Sequence, residues 1–205
     1  MARIKPHPSS RVHVVDLGGR RLKEPLTAED LLCLPDEHTD DGCYELVEGK
    51  LYKMPPPGFR HGQVTANVTF LLTARARQYR LGHVLAGDPG FILARDPDTV
   101  RGPDVAYISY QRLPAEQELP RGYPDMVPEL AVEIVSPSQT GRYVQEKAET
   151  WLDAGVIMVW VVDPLGNQVT VHRASQDAVV LSSDDTLDGS PVLPGFTCPV
   201  ADFFL

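Results

Sequence analysis

The sequence is poor in the residues that build disulfides and thiolate metal sites. Only three of its 205 residues are cysteines, Cys33, Cys43 and Cys198, and no two of them have the C-x-x-C spacing. An odd number of cysteines without that spacing indicates neither a disulfide framework nor a thiolate zinc site. We therefore interpret the three cysteines as small packing or surface residues.

Long apolar runs are also missing. No segment approaches the 18 or so uncharged apolar residues of a membrane-spanning helix, and the first residues, MARIKP, lack the apolar stretch of a secretory signal. We therefore expect no membrane association and a cytoplasmic location. A hydrophobic content of 42% over this length supports one sizeable core. We predict a single domain over residues 25–205.

Positive charge is scarce over most of the chain. The net charge of −9 argues against sequence-independent adhesion to DNA or to acidic membranes, because both require cations that neutralise phosphates. Residues 1–23 are the exception, with six Lys or Arg against one acid, Asp16. We predict that residues 1–24 form a flexible basic extension. Its composition fits either a solvated terminus or a basic segment that binds phosphate groups.

The apolar pattern predicts a mixed α/β domain. A capping box of Thr27 and Asp30 precedes a short helix, and a hairpin turns at Glu48 and Gly49. After the prolines at 55–57, apolar residues recur at helical spacing over about 61–81. Further segments predict strands at 83–86, 91–94, 105–109 and 130–135, a helix at 142–154, a central strand at 157–162, and a hairpin of 169–173 with 178–181. Together they predict a mixed sheet flanked by helices.

Two carboxylates interrupt otherwise apolar strands. Asp104 lies in PDVAYI at 103–108, and Glu133 lies in ELAVEIVS at 129–136. A buried polar group without a partner costs about 2–7 kcal/mol, so something must compensate each carboxylate. A divalent cation would compensate both, and we predict one here.

Lys147 lies at the edge of the apolar stripe of the helix at 142–154. At 100° per residue, that stripe consists of Val144, Ala148, Trp151 and Leu152. The ammonium either extends to water or reaches the carboxylates at the neighbouring strand end. If Asp104, Glu133 and Lys147 converge, their oxygen ligands and cation favour Mg²⁺ or Mn²⁺ and metal-assisted phosphodiester hydrolysis.

The order of several motifs is similar to that of a known family. The motifs are YEL with EG within 44–49, PDVA at 103–106, VEIVSPS at 132–138, EK at 146–147, and AGV with WVVDP within 154–164. In this order they resemble the Uma-type branch of the restriction-endonuclease-like PD-(D/E)XK superfamily. The resemblance covers residues 27–205.

The resemblance implies a restriction-endonuclease-like core in which Asp104 and Glu133 bind the metal. It also implies that the backbone carbonyl of Ile134 joins the coordination. The common form of the superfamily has a lysine two residues after the second acid, where this chain has Val135. The Uma-type branch instead offers a lysine from the following helix, which corresponds to Lys147.

Further site residues are less specific. Glu45 matches the N-terminal acidic position of the branch, as a further ligand or as a structural residue. His61 is a candidate for substrate contact or a helix cap. Arg77 and Arg80 lie three residues apart, so one helix face could present both to a phosphate, although surface solubility is the commoner use of such residues. Tyr143 replaces an aspartate that many relatives carry four residues before the lysine.

Three functions fit these observations. The placement of Asp104, Glu133 and Lys147 favours a Mg²⁺-dependent endonuclease acting on DNA. A catalytically silent binding or assembly module with the same fold is the first alternative, and a metal-dependent hydrolase of a small phosphorylated ligand is the second. Polymer binding weakens steeply with salt, which separates the last from the first. Because cutting both strands needs two sites, a homodimer is a further prediction.

Overall fold

A computed structural model describes residues 25–34, 43–137 and 139–205. The predicted basic extension, residues 1–24, lies outside the described residues. Within them the chain divides into two compact units. The first unit contains the described residues up to Pro56, Gly90–Gly102 and Pro120–Val127, and the second contains Pro57–Pro89, Pro103–Leu119 and Pro128–Leu205. The single domain over 25–205 stays a prediction.

Helices and strands are mixed along the described residues. In chain order they are α1 (Ala28–Leu32), β1 (Cys43–Val47), β2 (Lys50–Met54), α2 (Phe59–Gln78), β3 (Gly82–Ala86), β4 (Phe91–Ala94), β5 (Thr99–Arg101), β6 (Val105–Ser109), β7 (Leu130–Ile134), α3 (Gly141–Asp153), β8 (Met158–Asp163), β9 (Gln168–Arg173), β10 (Val179–Ser182), β11 (Thr186–Asp188), β12 (Thr197–Pro199) and a 3₁₀ helix (Val200–Phe203). Of the helices in these parts of the chain, none is both long and apolar enough to span a membrane.

The first unit is built on a four-stranded antiparallel sheet in the order β2-β1-β5-β4. Helix α1 begins at Thr27, whose side chain accepts from Asp30 N–H while the Asp30 carboxylate accepts from Thr27 N–H. The β1–β2 turn places Glu48 and Gly49 at φ 50° and 72°, the left-handed region that such hairpins require. The predicted capping box and hairpin are both confirmed.

The second unit is built on a six-stranded mixed sheet in the order β10-β9-β8-β7-β6-β3. Strands β7 and β8 are parallel and are joined through α3, whereas the other neighbours are antiparallel. Strand β8 is buried from Met158 to Val162 and lies between β7 and β9, which confirms the predicted central strand. The mixed α/β fold class is confirmed. The three-residue strands β5, β11 and β12 were not predicted, since they are too short to show a period.

The core of the second unit lies between α2 and one face of the six-stranded sheet. Val64, Val68, Leu72 and Ala76 recur at every fourth residue of α2 and are all buried. They belong to one cluster with Leu130, Val132 and Ile134 of β7. Alternation along β7 therefore directs Glu133 to the opposite face. The polar residue of this strand thus points away from the main core.

Candidate functional site

Asp104, just before β6, and Glu133, in the neighbouring strand β7, lie at one end of the sheet. Strands β6 and β7 pair antiparallel with Val105 opposite Val132. Asp104 directly precedes Val105, and Glu133 directly follows Val132. The two acids therefore stand at the same end of the sheet.

The Asp104 carboxylate is held by two donors from the second unit. Its Oδ2 atom accepts from the backbone N–H of Ile134 at 2.6 Å, and its Oδ1 atom lies 3.1 Å from Nε2 of His61. The side chain is 13% exposed. A strand backbone and a helix side chain thus compensate the carboxylate and fix its orientation.

The Glu133 carboxylate is bound through both of its oxygens to α3. Oε1 accepts from the indole Nε1–H of Trp151 at 2.6 Å, and Oε2 lies 2.8 Å from Nζ of Lys147. Glu133 and Lys147 are 7% and 8% exposed. Lys147 therefore reaches the second acid rather than extending to water. Burial makes the pair interdependent, because removing either partner takes away an opposite charge that water cannot replace there.

His61 is the third residue of α2 and contacts Asp104. The N-cap of this helix is Gly58, so His61 is not a helix cap. Burial by itself lowers the pKa of His61, but the hydrogen bond and charge of Asp104, with the charges of Asp88 and Glu133, raise this pKa above its usual value. The Thr65 hydroxyl lies 3.4 Å from Nδ1 on the other side of the ring. The ring is thus set to carry a proton on Nε2 toward Asp104.

Two cavities adjoin these side chains. A small one of about 10 Å³ is lined by Glu133, Ile134, Val135, Gln139, Tyr143, Val144 and Lys147, which is room for a single water. A larger open groove of about 750 Å³ extends along α2 and reaches His61 and Asp104. Within the site, Glu133 therefore borders a small enclosed cavity, whereas Asp104 borders an open groove.

The donor atoms of the site fit a hard divalent cation. Among the described residues, no group of three or more His, Cys, Asp or Glu is arranged to hold a metal. However, Mg²⁺ is usually bound by only one or two carboxylates, with water and substrate phosphate completing the octahedron. The carboxylates of Asp104 and Glu133 and the carbonyl of Ile134 meet that requirement in type and number.

The remaining predicted residues have different surroundings. Glu45 is buried within the first unit, where its Oε2 atom lies 3.3 Å from Nη1 of Arg101. Arg77 lines the groove along α2. Arg80 lies past the end of α2 with φ 52°, so helical spacing no longer relates it to Arg77. Ligand binding by Glu45 and substrate contact by His61, Arg77 and Arg80 stay predictions.

Sequence reasoning missed the part that Trp151 has in the site. This residue was placed in the apolar stripe of its helix, where it is indeed fully buried. The signal was its spacing of four residues from Lys147, which puts the two side chains on adjoining turns of one helix face. A buried indole N–H needs an acceptor, and the nearby buried carboxylate of Glu133 supplies it.

Comparisons with known proteins give a family and a similar fold. Residues 28–201 match the model of the Uma2 family, described as "Putative restriction endonuclease". A crystal structure described as "a putative nuclease belonging to DUF820", from Anabaena variabilis, is 23% identical in sequence and superposes with a TM-score of 0.74. The match covers 88% of this chain and 98% of the other, and shows a shared fold. A comparison with curated proteins gives no match.

Proposed function

Because the chain belongs to the Uma2 family, we propose that it is a divalent-metal-dependent endonuclease that hydrolyses phosphodiester bonds in DNA. The observation that carries the proposal is the placement of Asp104 and Glu133 at one end of the sheet, with Lys147 bonded to Glu133. Two carboxylates can hold a divalent cation, and a nearby ammonium can stabilise the negative charge that develops during hydrolysis of a phosphodiester.

Asp104, Glu133 and the carbonyl of Ile134 would hold Mg²⁺ or Mn²⁺. When bound, the cation supplies Lewis acidity and charge neutralisation at the scissile phosphate. The hydrogen bonds from Ile134 N–H and Trp151 fix the two carboxylates before any ligand arrives. Such preorganisation lowers the reorganisation that the site would otherwise need during reaction.

Lys147 and His61 supply the protons and positive charge of the proposed site. Lys147 keeps its ammonium 2.8 Å from Glu133, where it can stabilise negative charge that develops on phosphorus. Nε2 of His61 lies 3.1 Å from Oδ1 of Asp104, and the ring lines the open groove. It is therefore positioned to orient Asp104 and to contact a substrate that lies in the groove.

A cleavage assay with the purified protein tests this proposal. Supercoiled, linear and branched DNA are incubated with Mg²⁺ or Mn²⁺ at low and near-physiological salt, with the Asp104→Ala protein as the contamination control. We expect cleavage by the wild-type protein alone. Mg²⁺ or Mn²⁺ binding in calorimetry without cleavage of any DNA would favour a small phosphorylated ligand. Absence of both would favour a silent module.

A further inference from the structure

The groove along α2 has one end at the proposed catalytic residues. His61, Ala66, Phe70, Arg77, Asp88 and Asp104 are among the residues that line it. We call this cleft the α2 groove. His61 and Arg77 are 16 residues apart, which at 1.5 Å per residue is about 24 Å. A polymer cleaved beside Asp104 would therefore have this length of groove available to it.

The lining of the α2 groove is mostly uncharged. Thr65 and Thr69 line it, but their hydroxyls donate to the carbonyls of His61 and Thr65 at 2.8 and 2.7 Å, within the helix itself. Of the described lining residues, Arg77 is the one Lys or Arg, against Asp88 and Asp104. Duplex DNA is held chiefly by cations that neutralise its phosphates. The α2 groove is thus poorly suited to the backbone of an intact duplex.

An exposed aromatic side chain stands in the middle of the α2 groove. Phe70 is 70% exposed and lines the groove directly. A second aromatic side chain, Phe59, is fully exposed. It lies eleven residues earlier, which is three helical turns away on the same side of α2. Single-stranded nucleic acids are held by aromatic rings on which successive unpaired bases stack. The apolar lining and exposed rings match bases better than phosphates.

We propose that the α2 groove binds an unpaired stretch of nucleic acid, with a base stacked on Phe70 and a phosphate at Arg77. The substrate of the proposed endonuclease is then a single strand or a locally unpaired segment. This inference rests on the proposed function. At 3.4 Å per nucleotide of stacked strand, the 24 Å between His61 and Arg77 accommodates about seven nucleotides.

Fluorescence anisotropy with a labelled oligothymidylate and a duplex of equal length tests the inference. Binding is measured with the full chain in EDTA and, in the Glu133→Gln background, with Mg²⁺. We expect the single strand to bind about tenfold more tightly than the duplex, and Phe70→Ala to remove most of that difference. Phe70→Trp should retain it. Leu165→Ala is the matched control, since Leu165 is exposed in the same unit outside the α2 groove.

The outcomes separate this inference from the proposed function. Equal affinity for both DNAs, or no effect of Phe70→Ala, overturns the inference, while Asp104-dependent cleavage of duplex would still uphold the nuclease. A dimer that becomes monomeric in light scattering on Phe70→Ala also overturns it, because a second copy then fills the α2 groove. Phe70-dependent binding of single strands without any cleavage supports the inference and overturns the nuclease.

Discussion

The two units each contain a buried glutamate paired with a cation, and the two pairs differ in what surrounds them. In the first unit Glu45 lies 3.3 Å from Arg101, and in the second Glu133 lies 2.8 Å from Lys147. Arginine stays charged and binds carboxylates in a fixed planar geometry, whereas lysine is a compact charge on a flexible stem. Glu133 also has the Asp104 carboxylate at the same end of the sheet and a water-sized cavity beside it.

This difference teaches that a buried carboxylate does not by itself mark a metal ligand. Glu45 and Glu133 are equally buried, and each has a cation at bonding distance. What distinguishes Glu133 is a neighbouring carboxylate together with room for an additional small ligand. We therefore expect Glu133 to serve chemistry and Glu45 to serve the stability of its unit.

The largest expected effect comes from neutralising each glutamate in turn. Glu133→Gln keeps the volume but removes the charge of a proposed metal ligand, and we expect DNA cleavage to fall about 10³-fold or more. Glu45→Gln should change the rate only a few-fold. Initial cleavage rates with Mg²⁺ measure both effects, with circular dichroism to verify folding. An equal loss in the two variants would place Glu45 among the catalytic residues and end the distinction.

The next largest effect concerns rescue by metal. Lys147→Ala and Arg101→Ala each remove the cation bonded to a buried carboxylate, so each should lower the free energy of unfolding by about 3–5 kcal/mol. We expect Mg²⁺ to restore part of the loss in Lys147→Ala, because Glu133 then binds the cation without competition. It should restore nothing in Arg101→Ala. Urea unfolding in EDTA and in Mg²⁺ measures the difference.

Equal rescue of both variants by Mg²⁺ would contradict this assignment, since it would mean that either glutamate can recruit the metal. Rescue of neither would mean that Glu133 is not a ligand. Lys147→Arg is the control, because it retains a positive charge in the second unit. The folded Lys147→Arg protein should have near wild-type stability in EDTA, and Mg²⁺ should not be needed to restore it.

The sequence was sufficient to predict the parts of this comparison that depend on local pattern. The hairpin carrying Glu45 follows from its turn residues, and the exposure of one α3 face follows from its period. The apolar run of β7 marked Glu133 as unusual. These features need only neighbours along the chain.

The partners of the charged groups could not be predicted in the same way. Arg101 lies 56 residues from Glu45, and His61 lies 43 residues from Asp104. Such pairs depend on how strands and helices pack, which periodicity does not encode. Burial of Lys147 was likewise undecided on the helical wheel, because the wheel gives a direction without saying what lies there.

A smaller effect is expected from the indole that holds Glu133. Trp151→Phe retains most of the packing but removes the hydrogen bond to Oε1, at a cost of about 1–3 kcal/mol for the unsatisfied acceptor. We expect weaker Mg²⁺ binding and about tenfold slower cleavage. Mg²⁺ should also change the fluorescence of Trp151 in the wild-type protein.

Trp160→Phe is the matched control, because Trp160 is also fully buried but donates to Met158 Sδ rather than to a carboxylate. The fluorescence response to Mg²⁺ should survive in Trp160→Phe and disappear in Trp151→Phe. A fluorescence response that disappears in Trp160→Phe but survives in Trp151→Phe would show that the metal does not change the surroundings of Glu133.

The smallest expected effect is a difference between the two units in how acid changes their stability. Burial lowers the pKa of His172 in the second unit below its ordinary 6.5, against the opposing charge of Glu149. Protonation of His172 therefore favours the unfolded state. The contribution of neutral His172 to stability is present above pH 6.5 and is lost as the pH falls below that value. In the first unit, burial raises the pKa of Asp98, but hydrogen bonds from Ala28 N–H and Arg95 outweigh it and leave the pKa below 3.8.

The contribution of Asp98 is therefore complete above pH 3.8 and is lost only below that value. Between pH 7 and 5, His172→Gln should flatten the fall in the free energy of unfolding, and Asp98→Asn should leave its slope unchanged. Urea unfolding of both variants and of the wild-type protein at several pH values measures the slopes. A slope that Asp98→Asn alters and His172→Gln does not would reverse the assignment, and would place the acid-sensitive group in the first unit.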